Sequence, residues 1–138
     1  VETLKGRFGF LSPKKLYQAS SKAREQFSVK STGVDQLMRA LSGGNKQKVN
    51  LGRWLIKDLD VLIVDCPTRG VDIGVKAYIY QCLREAKEKG MAILLITDEL
   101  SEVLGMADTI AVMKDGEICK LLPRSAELSE ETIIEVMT

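Results

Sequence analysis

Two short runs of aliphatic residues constrain the fold of this 138-residue chain more than any other feature. VLIVD covers residues 61–65 and MAILLIT covers residues 91–97, and neither run alternates apolar with polar side chains. Strands of this kind are typical of a parallel sheet that is buried on both faces. Between the runs, residues 74–89 carry apolar side chains at helical spacing. Strand, helix and strand in this order predict a right-handed parallel crossover and an α/β fold.

The rest of the chain predicts further short elements. Residues 13–27 predict a helix, because a serine followed by a proline is typical of a helix start. A second helix is expected over residues 43–57. Residues 109–122 predict a hairpin at one edge of the sheet, since the Asp-Gly pair at its centre is typical of a two-residue turn. Residues 129–137 predict a short closing helix.

Composition argues against several kinds of function. Cys66, Cys82 and Cys119 lie far apart and the chain has no histidine, which argues against a zinc site and favours free thiols. The net charge of +1 favours no particular partner. No apolar run approaches the roughly 20 residues of a membrane span. Residues 1–30 carry seven basic and two acidic side chains. This bias favours a solvated or docking surface over nucleic-acid binding, for which more interleaved aromatic residues are expected.

The segment LSGGNKQK, residues 41–48, contains a turn that is suited to phosphate. Ser42 can cap the helix that follows, and the amides of Gly43 and Gly44 then point outward at its positive end. Glycine also lets an anion approach the backbone closely. Taken alone, the three residues favour an ordinary helix cap. The chain contains no G-x-x-x-x-G-K-[ST] loop, which would hold nucleotide phosphates directly.

Polar residues follow both predicted strands. Asp65 and Cys66 come after the first strand, and Asp98 comes after the second. Ligands of open parallel sheets bind beyond the carboxyl ends of the strands. Asp65 is therefore placed to hold Mg²⁺ near nucleotide phosphates, with capping of the next loop as the alternative.

Together these motifs resemble the ATP-binding-cassette (ABC) ATPases. LSGGNKQK, VLIVD-x-P, TRGVD and the strand ending at Thr97 follow the family's order and spacing from about Leu41 to Leu122. PTRGVDIG and EVLGMAD are most similar to the C-terminal cassette of sugar importers of the ribose and galactose type, in which two cassettes share one polypeptide. The resemblance implies a partial P-loop NTPase cassette: parallel strands with a crossover helix, a C-terminal β-hairpin and a helical subdomain.

The resemblance also divides the chain and implies a role in trans. Residues 1–40 are similar to part of the helical subdomain that faces the permease. Residues 41–138 are similar to the signature helix, the metal-site strand and the C-terminal α/β part. In this family two cassettes dimerise head to tail, and the signature turn of one completes the nucleotide site of the other. The residues implied to bind nucleotide in this way are Ser42, Gly43, Gly44, Asn45 and Gln47.

Asp72 matches the acid of the loop through which the two sites of the family communicate. A helix cap is the alternative role for this residue, and it is compatible with the first. The family's phosphate loop precedes the signature turn and has no counterpart in this sequence. The chain alone is therefore expected to bind ATP weakly or not at all.

Two residues depart from the family pattern at the chain's own nucleotide site. Cys66 stands where a glutamate normally activates the attacking water, and a neutral thiol cannot accept a proton as a carboxylate does. Asp98 stands where some relatives carry a histidine that senses the γ-phosphate, and its charge would repel a triphosphate. This site is therefore expected to be degenerate. Asp98 or Glu99 as a substitute base, and Cys66 as a nucleophile or redox sensor, are less favoured alternatives.

By resemblance, the chain is part of an ATP-hydrolysing subunit that energises sugar import, with ATP and Mg²⁺ as cofactors. The implied partners are a second cassette, a transmembrane permease and, indirectly, a sugar-binding protein, at the cytoplasmic face of the membrane. The chain itself is expected to be soluble and inactive alone. A non-hydrolysing module that uses ATP to hold a dimer together is the alternative. A cassette of DNA repair or translation is disfavoured, because those proteins more often have glutamate or glutamine after LSGG.

Overall fold

The computed structural model describes residues 12–57 and 59–137. The predicted helices and strands are confirmed, with ends that differ by one or two residues. The structure adds a helix at Leu100–Met106 and a 3-10 turn at Met38–Ala40, neither of which was predicted from the sequence. The helices are α1 (Pro13–Gln26), α2 (Gly43–Leu55), α3 (Ile73–Glu88), α4 (Leu100–Met106) and α5 (Glu130–Met137). The strands are β1 (Val61–Asp65), β2 (Ala92–Ile96), β3 (Thr109–Lys114) and β4 (Glu117–Pro123).

The chain divides into two compact units. The first unit comprises Val1–Asp60 and Thr68–Ile79, and the second comprises Val61–Pro67 and Tyr80–Thr138. Of the expected helical subdomain, residues 1–11 lie outside the described residues. Among the described residues, no helix has both the length and the apolar character needed to cross a membrane.

In the first unit, α2 packs against the end of α1 through Phe27. The ring is 6% exposed, and a Cβ placed on Gly52 would lie 2.7 Å from its Cδ2 atom. That separation is far shorter than ordinary van der Waals contact, so only glycine at residue 52 permits this approach. Leu51, the neighbour of Gly52 on α2, is also buried.

Lys48 joins α2 to two further segments of the first unit. Its Nζ donates a hydrogen bond of 3.2 Å to the carbonyl oxygen of Ser28. The same Nζ lies 4.2 Å from the centre of the Tyr78 ring, which belongs to α3. A cation held over an aromatic face contributes about 0.5–1 kcal/mol at an exposed site. Lys48 therefore ties α2 both to the segment that follows α1 and to Tyr78.

The second unit contains the parallel pair that the two aliphatic runs predict. β1 pairs with β2 in parallel, with Val61 opposite Ala92 and Asp65 opposite Ile96. The expectation that both faces are buried is wrong. Leu62 and Val64 are buried, whereas Ile63 is 63% exposed. An aliphatic run predicts burial on both faces only where a layer covers each face, and the described residues cover one face of this pair.

The hairpin forms at the predicted turn, where Asp115 and Gly116 both have positive φ angles, of 52° and 85°. Its expected place at an edge of the parallel pair is wrong, because β3 and β4 form a separate two-stranded sheet in the described part of the chain. The hairpin instead packs against α4 and α5. The buried residues of this packing are Ile110, Val112 and Ile133, with Leu100, Val103, Leu104, Ala107, Leu122, Leu128 and Val136 packed around them.

Gly52→Ala is expected to lower the free energy of unfolding by roughly 1–3 kcal/mol, because the added methyl group overpacks against Phe27. Chemical denaturation followed by far-ultraviolet circular dichroism measures this change. Gly105→Ala is the matched control, since Gly105 also lies in a helix and an added Cβ meets no atom within 4 Å. The control substitution is expected to raise the free energy of unfolding by about 0.5–1 kcal/mol, because alanine favours a helix more than glycine does. A Gly52→Ala variant as stable as the control would contradict the packing described.

Candidate functional site

The turn that begins α2 is organised by the side chain of Asn45. Ser42 is the N-cap residue, and its Oγ accepts hydrogen bonds from the Asn45 backbone N (3.4 Å) and from Asn45 Nδ2 (2.8 Å). Asn45 Oδ1 in turn accepts a 2.8 Å bond from the backbone N of Lys30. Because Lys30 N must meet an acceptor, this second bond fixes which end of the amide faces Ser42. The helix-cap role of Ser42 is thus confirmed.

The hydrogen bonds of Ser42 leave one group available. A serine hydroxyl has two lone pairs and one O–H donor. Asn45 supplies both donors to the oxygen, so the remaining hydrogen-bonding capacity is the O–H. Residues Gly43 and Gly44 occupy the first turn of α2, where backbone N–H groups have no acceptor within the helix. An exposed turn with outward donors and a positive helix end suits an anion.

The two glycines of the turn have different surroundings. A Cβ on Gly43 would meet no atom within 4 Å. A Cβ on Gly44 would lie 2.7 Å from Cγ2 of Val75. Gly43 is exposed and Gly44 is half-buried. The sequence motif gives both glycines the same role, whereas the structure separates an open position from a packed one.

A groove of about 660 Å³ lies beside the start of α2, within the first unit. Gly43 and Gln47 line it on the helix side, and residues 69–71 line it on the other. Lys46, Arg53 and Arg69 add three cationic side chains to its lining. The sequence reasoning did not single out these three. The sequence signal for Lys46 and Arg53 is their spacing of seven residues, which puts them on one side of α2.

Asp72 caps α3. Its Oδ1 accepts a 2.9 Å hydrogen bond from the backbone N of Val75, and its carbonyl oxygen accepts one of 2.9 Å from Lys76 N. The predicted capping role is therefore confirmed. The predicted role in communication between two nucleotide sites stays a prediction.

In the second unit, the parallel register brings the predicted strand-end residues to one end of the pair. The backbone N of Cys66 donates a 2.8 Å hydrogen bond to the carbonyl of Ile96, the residue opposite Asp65. Cys66 Sγ lies 4.0 Å from Asp98 Oδ1, so the thiol S–H donates to that carboxylate. Asp65, Cys66 and Asp98 therefore share this end of the sheet, as the topology predicts.

Cys66 has an unusual backbone conformation. Its φ angle is 43°, in the left-handed region where residues other than glycine, asparagine and aspartate are uncommon. Such a conformation persists where the surroundings fix it, and the bond to Ile96 does so here. The thiol is half-buried beside Asp98, and it supplies an S–H donor where a base would need an acceptor.

Asp65 is exposed at the end of β1. Within residues 12–57 and 59–137, no three cysteine, aspartate or glutamate side chains converge as a metal-binding group. Mg²⁺ is commonly held by one or two carboxylates, with waters and phosphates as its other ligands. Asp65 fits that mode of binding only together with a nucleotide.

Comparison with known proteins identifies relatives of this chain by sequence. No protein-family model matches it. It is 46% identical over 114 residues to the ribose import ATP-binding protein of Lactococcus lactis, covering 83% of this chain and 23% of that protein. It is 44% identical over 119 residues to the L-arabinose transport ATP-binding protein of Geobacillus stearothermophilus, covering 86% and 23%. The chain thus spans about a quarter of the length of these curated relatives.

Solved structures agree with this result. The ABC-transporter cassette MJ1267 superposes with a TM-score of 0.72 at 28% identity, over 91% of this chain and 50% of that chain. The dimeric cassette MJ0796 gives a TM-score of 0.72 at 22% identity, over 86% and 51%, which supports the fold alone. The chain is therefore homologous to the ribose and arabinose import ATP-binding proteins, and its α/β fold is that of part of an ABC-transporter cassette.

Proposed function

We propose that this chain is part of the ATP-binding subunit of an ABC sugar importer and that its signature turn acts on ATP held by a partner cassette. The observation that carries the proposal is the state of Ser42. Both lone pairs of its oxygen accept hydrogen bonds from Asn45. The hydroxyl is therefore left as a hydrogen-bond donor, and a phosphate oxygen requires a donor. The open position of Gly43 leaves room for that oxygen beside the helix N-terminus.

In this proposal the residues of the turn bind and orient phosphate. The Ser42 O–H and the N–H groups of Gly43 and Gly44 donate hydrogen bonds to phosphate oxygens. Preorganised donors of this kind stabilise charge that develops during phosphoryl transfer, and they need little rearrangement when it does. Gln47, Lys46 and Arg69 line the adjacent groove and bring amide and positive groups close to the same anion. Asp72 holds the start of α3 and with it the loop that would contact the other site.

The chain's own site, with Asp65 as the Mg²⁺ ligand, is proposed to turn over little ATP. Mg²⁺ would supply charge neutralisation at the phosphates, but a base for the attacking water is missing. Cys66 Sγ lies 4.0 Å from Asp98 Oδ1 and donates toward it, so the thiol is directed as a donor and not as an acceptor. The exposed Asp98 carboxylate adds negative charge at the same end of the sheet.

The wider assignment is part of the same proposal. Residues 1–40 are assigned to the helical subdomain and residues 41–138 to the signature helix and the C-terminal α/β part of the second cassette. A transmembrane permease, and through it a sugar-binding protein, are the proposed partners, with no nucleic acid involved. The subunit would sit at the cytoplasmic face of the membrane. Import names among the relatives support this assignment.

A second function is favoured by the Cys66–Asp98 contact. If neither site hydrolyses ATP, the assembly is a regulatory module in which ATP only holds two cassettes together. The two functions differ in turnover at the partner site, which the next experiment measures.

Ser42→Ala is expected to lower single-turnover ATP hydrolysis at the partner site by about 10- to 100-fold in the assembled protein, because one preorganised donor is removed. Ser42→Arg should lower it further by blocking the turn. Ser129→Ala is the matched control, since Ser129 Oγ also caps a helix, accepting from Thr132 N at 3.3 Å. Hydrolysis that is unchanged in Ser42→Arg would rule out action in trans, and absence of turnover in the wild-type assembly would favour the second function.

Cys66→Glu combined with Asp98→Asn is expected to raise turnover at the chain's own site at least about 10-fold, since general-base catalysis contributes roughly 10²–10⁴-fold. Neutralising Asp98 removes the repulsion that a new carboxylate would meet. The assay uses an assembly whose partner cassette has its catalytic carboxylate changed to the amide. Cys66→Gln in the same background is the control and should show no gain. Equal rates for the two variants would contradict the assignment of Cys66 to the base position.

Titration calorimetry of the 138-residue chain with Mg²⁺-ATP is expected to give no binding heat up to millimolar nucleotide. The physical reason is that the sequence supplies no phosphate loop of the G-x-x-x-x-G-K-[ST] type. Micromolar binding at one site would show that the chain forms a self-sufficient nucleotide site, against this account.

A further inference from the structure

Gly44 of the signature turn is in contact range of α3. An added Cβ would lie 2.7 Å from Val75 Cγ2 and 3.5 Å from Val75 Cβ. The first distance is shorter than real Cβ contacts, and the second is ordinary van der Waals contact. One methyl group of Val75 therefore occupies the space that a side chain at residue 44 would need.

Val75 is also bonded to Asp72, the last residue of the segment 68–72, which is called the Asp72 loop below. Its backbone N donates a 2.9 Å hydrogen bond to Asp72 Oδ1. The same residue thus contacts the signature turn with its side chain and the Asp72 carboxylate with its backbone. Both contacts lie within the first unit.

We propose that Val75 is a positioning residue, which sets the distance between the signature turn and the Asp72 loop by packing against Gly44. The inference rests on the proposed function in trans. It assigns different reasons to the two glycines: Gly43 must lack a side chain so that phosphate can approach, and Gly44 must lack one because Val75 is there.

The stiffness of valine makes this contact a spacer. A β-branched side chain in a helix has one strongly preferred χ1 rotamer, so Cγ2 cannot swing aside cheaply. A methyl group at residue 44 would then have to move the backbone of α2 away from α3. Because the donors of the turn are backbone N–H groups and the Ser42 hydroxyl, such a movement displaces them directly, and displacements near 1 Å at a catalytic site can cost about 10²-fold in rate.

The test compares Gly44→Ala, Val75→Ala and the double variant in the assembled protein. The readouts are kcat and KM for ATP at the partner site, together with the thermal unfolding midpoint of the chain. Gly44→Ala is expected to lower kcat/KM at least about 10-fold. Val75→Ala in that background removes the clashing methyl and should restore kcat/KM to within about 3-fold of the Val75→Ala single variant.

Two further variants sharpen the comparison. Val75→Ile keeps carbon atoms at both γ positions and is expected to give no rescue of Gly44→Ala. Gly43→Ala, whose added Cβ meets no atom of the chain within 4 Å, should lower kcat/KM without lowering the unfolding midpoint, and Val75→Ala should not rescue it. Gly33→Ala, another open glycine, is the control for the substitution itself and should change neither readout.

A double variant that regains the wild-type unfolding midpoint but keeps the low kcat/KM of Gly44→Ala would overturn the positioning role. The failure of the proposed function looks different, because Ser42→Arg would then leave partner-site hydrolysis unchanged. In that case the unfolding midpoints still decide the packing: rescue of the Gly44→Ala midpoint by Val75→Ala supports the contact, and equal midpoints with and without Val75→Ala refute it.

Discussion

The first unit depends on how closely other segments approach the backbone of α2. A Cβ on Gly52 would lie only 2.7 Å from the Phe27 ring, and a Cβ on Gly44 would lie only 2.7 Å from a methyl group of Val75. The helix is thus bare of side chains at two contact points, and its backbone itself forms the packing surface. With α2 held in this way, its first turn presents Ser42 and Gly43 in one orientation. The orientation of the N–H groups in this turn therefore depends on packing around α2 as well as on the turn's own residues.

The second unit is organised by the register of β1 and β2. One consequence of that register is the hydrogen bond between Cys66 N and the Ile96 carbonyl, which holds Cys66 in a left-handed conformation. The same register brings Asp98 within reach of the Cys66 thiol. A position that the family resemblance assigns to a base therefore holds a donor directed at an acid.

The elements of the fold were predictable because their signals are local. Helix periodicity, the Ser-Pro start and the Asp-Gly turn each depend on neighbouring residues. Two features were not predictable in this way: the exposed face of β1 and β2, and the separation of the hairpin from them. Both depend on which segments pack against the strands, and local sequence patterns do not indicate that. The site shows the same limit. The cap formed by Ser42 and the meeting of Cys66 with Asp98 follow from motif and topology, whereas the contact between Gly44 and Val75 joins residues 31 positions apart. The short α4 was missed because its seven residues span barely two helical turns.

The open side of the parallel pair has a thermodynamic consequence. On the face that the described residues leave uncovered, four aliphatic side chains are between 47% and 63% exposed: Val61, Ile63, Leu94 and Ile96. Each square ångström of such surface that becomes covered contributes about 25 cal/mol to the covered state. A protein segment that binds this surface in the folded chain alone shifts the folding equilibrium by mass action. If such a segment binds, folding of this chain and binding at this surface are linked equilibria, and the apparent stability depends on the concentration of the segment.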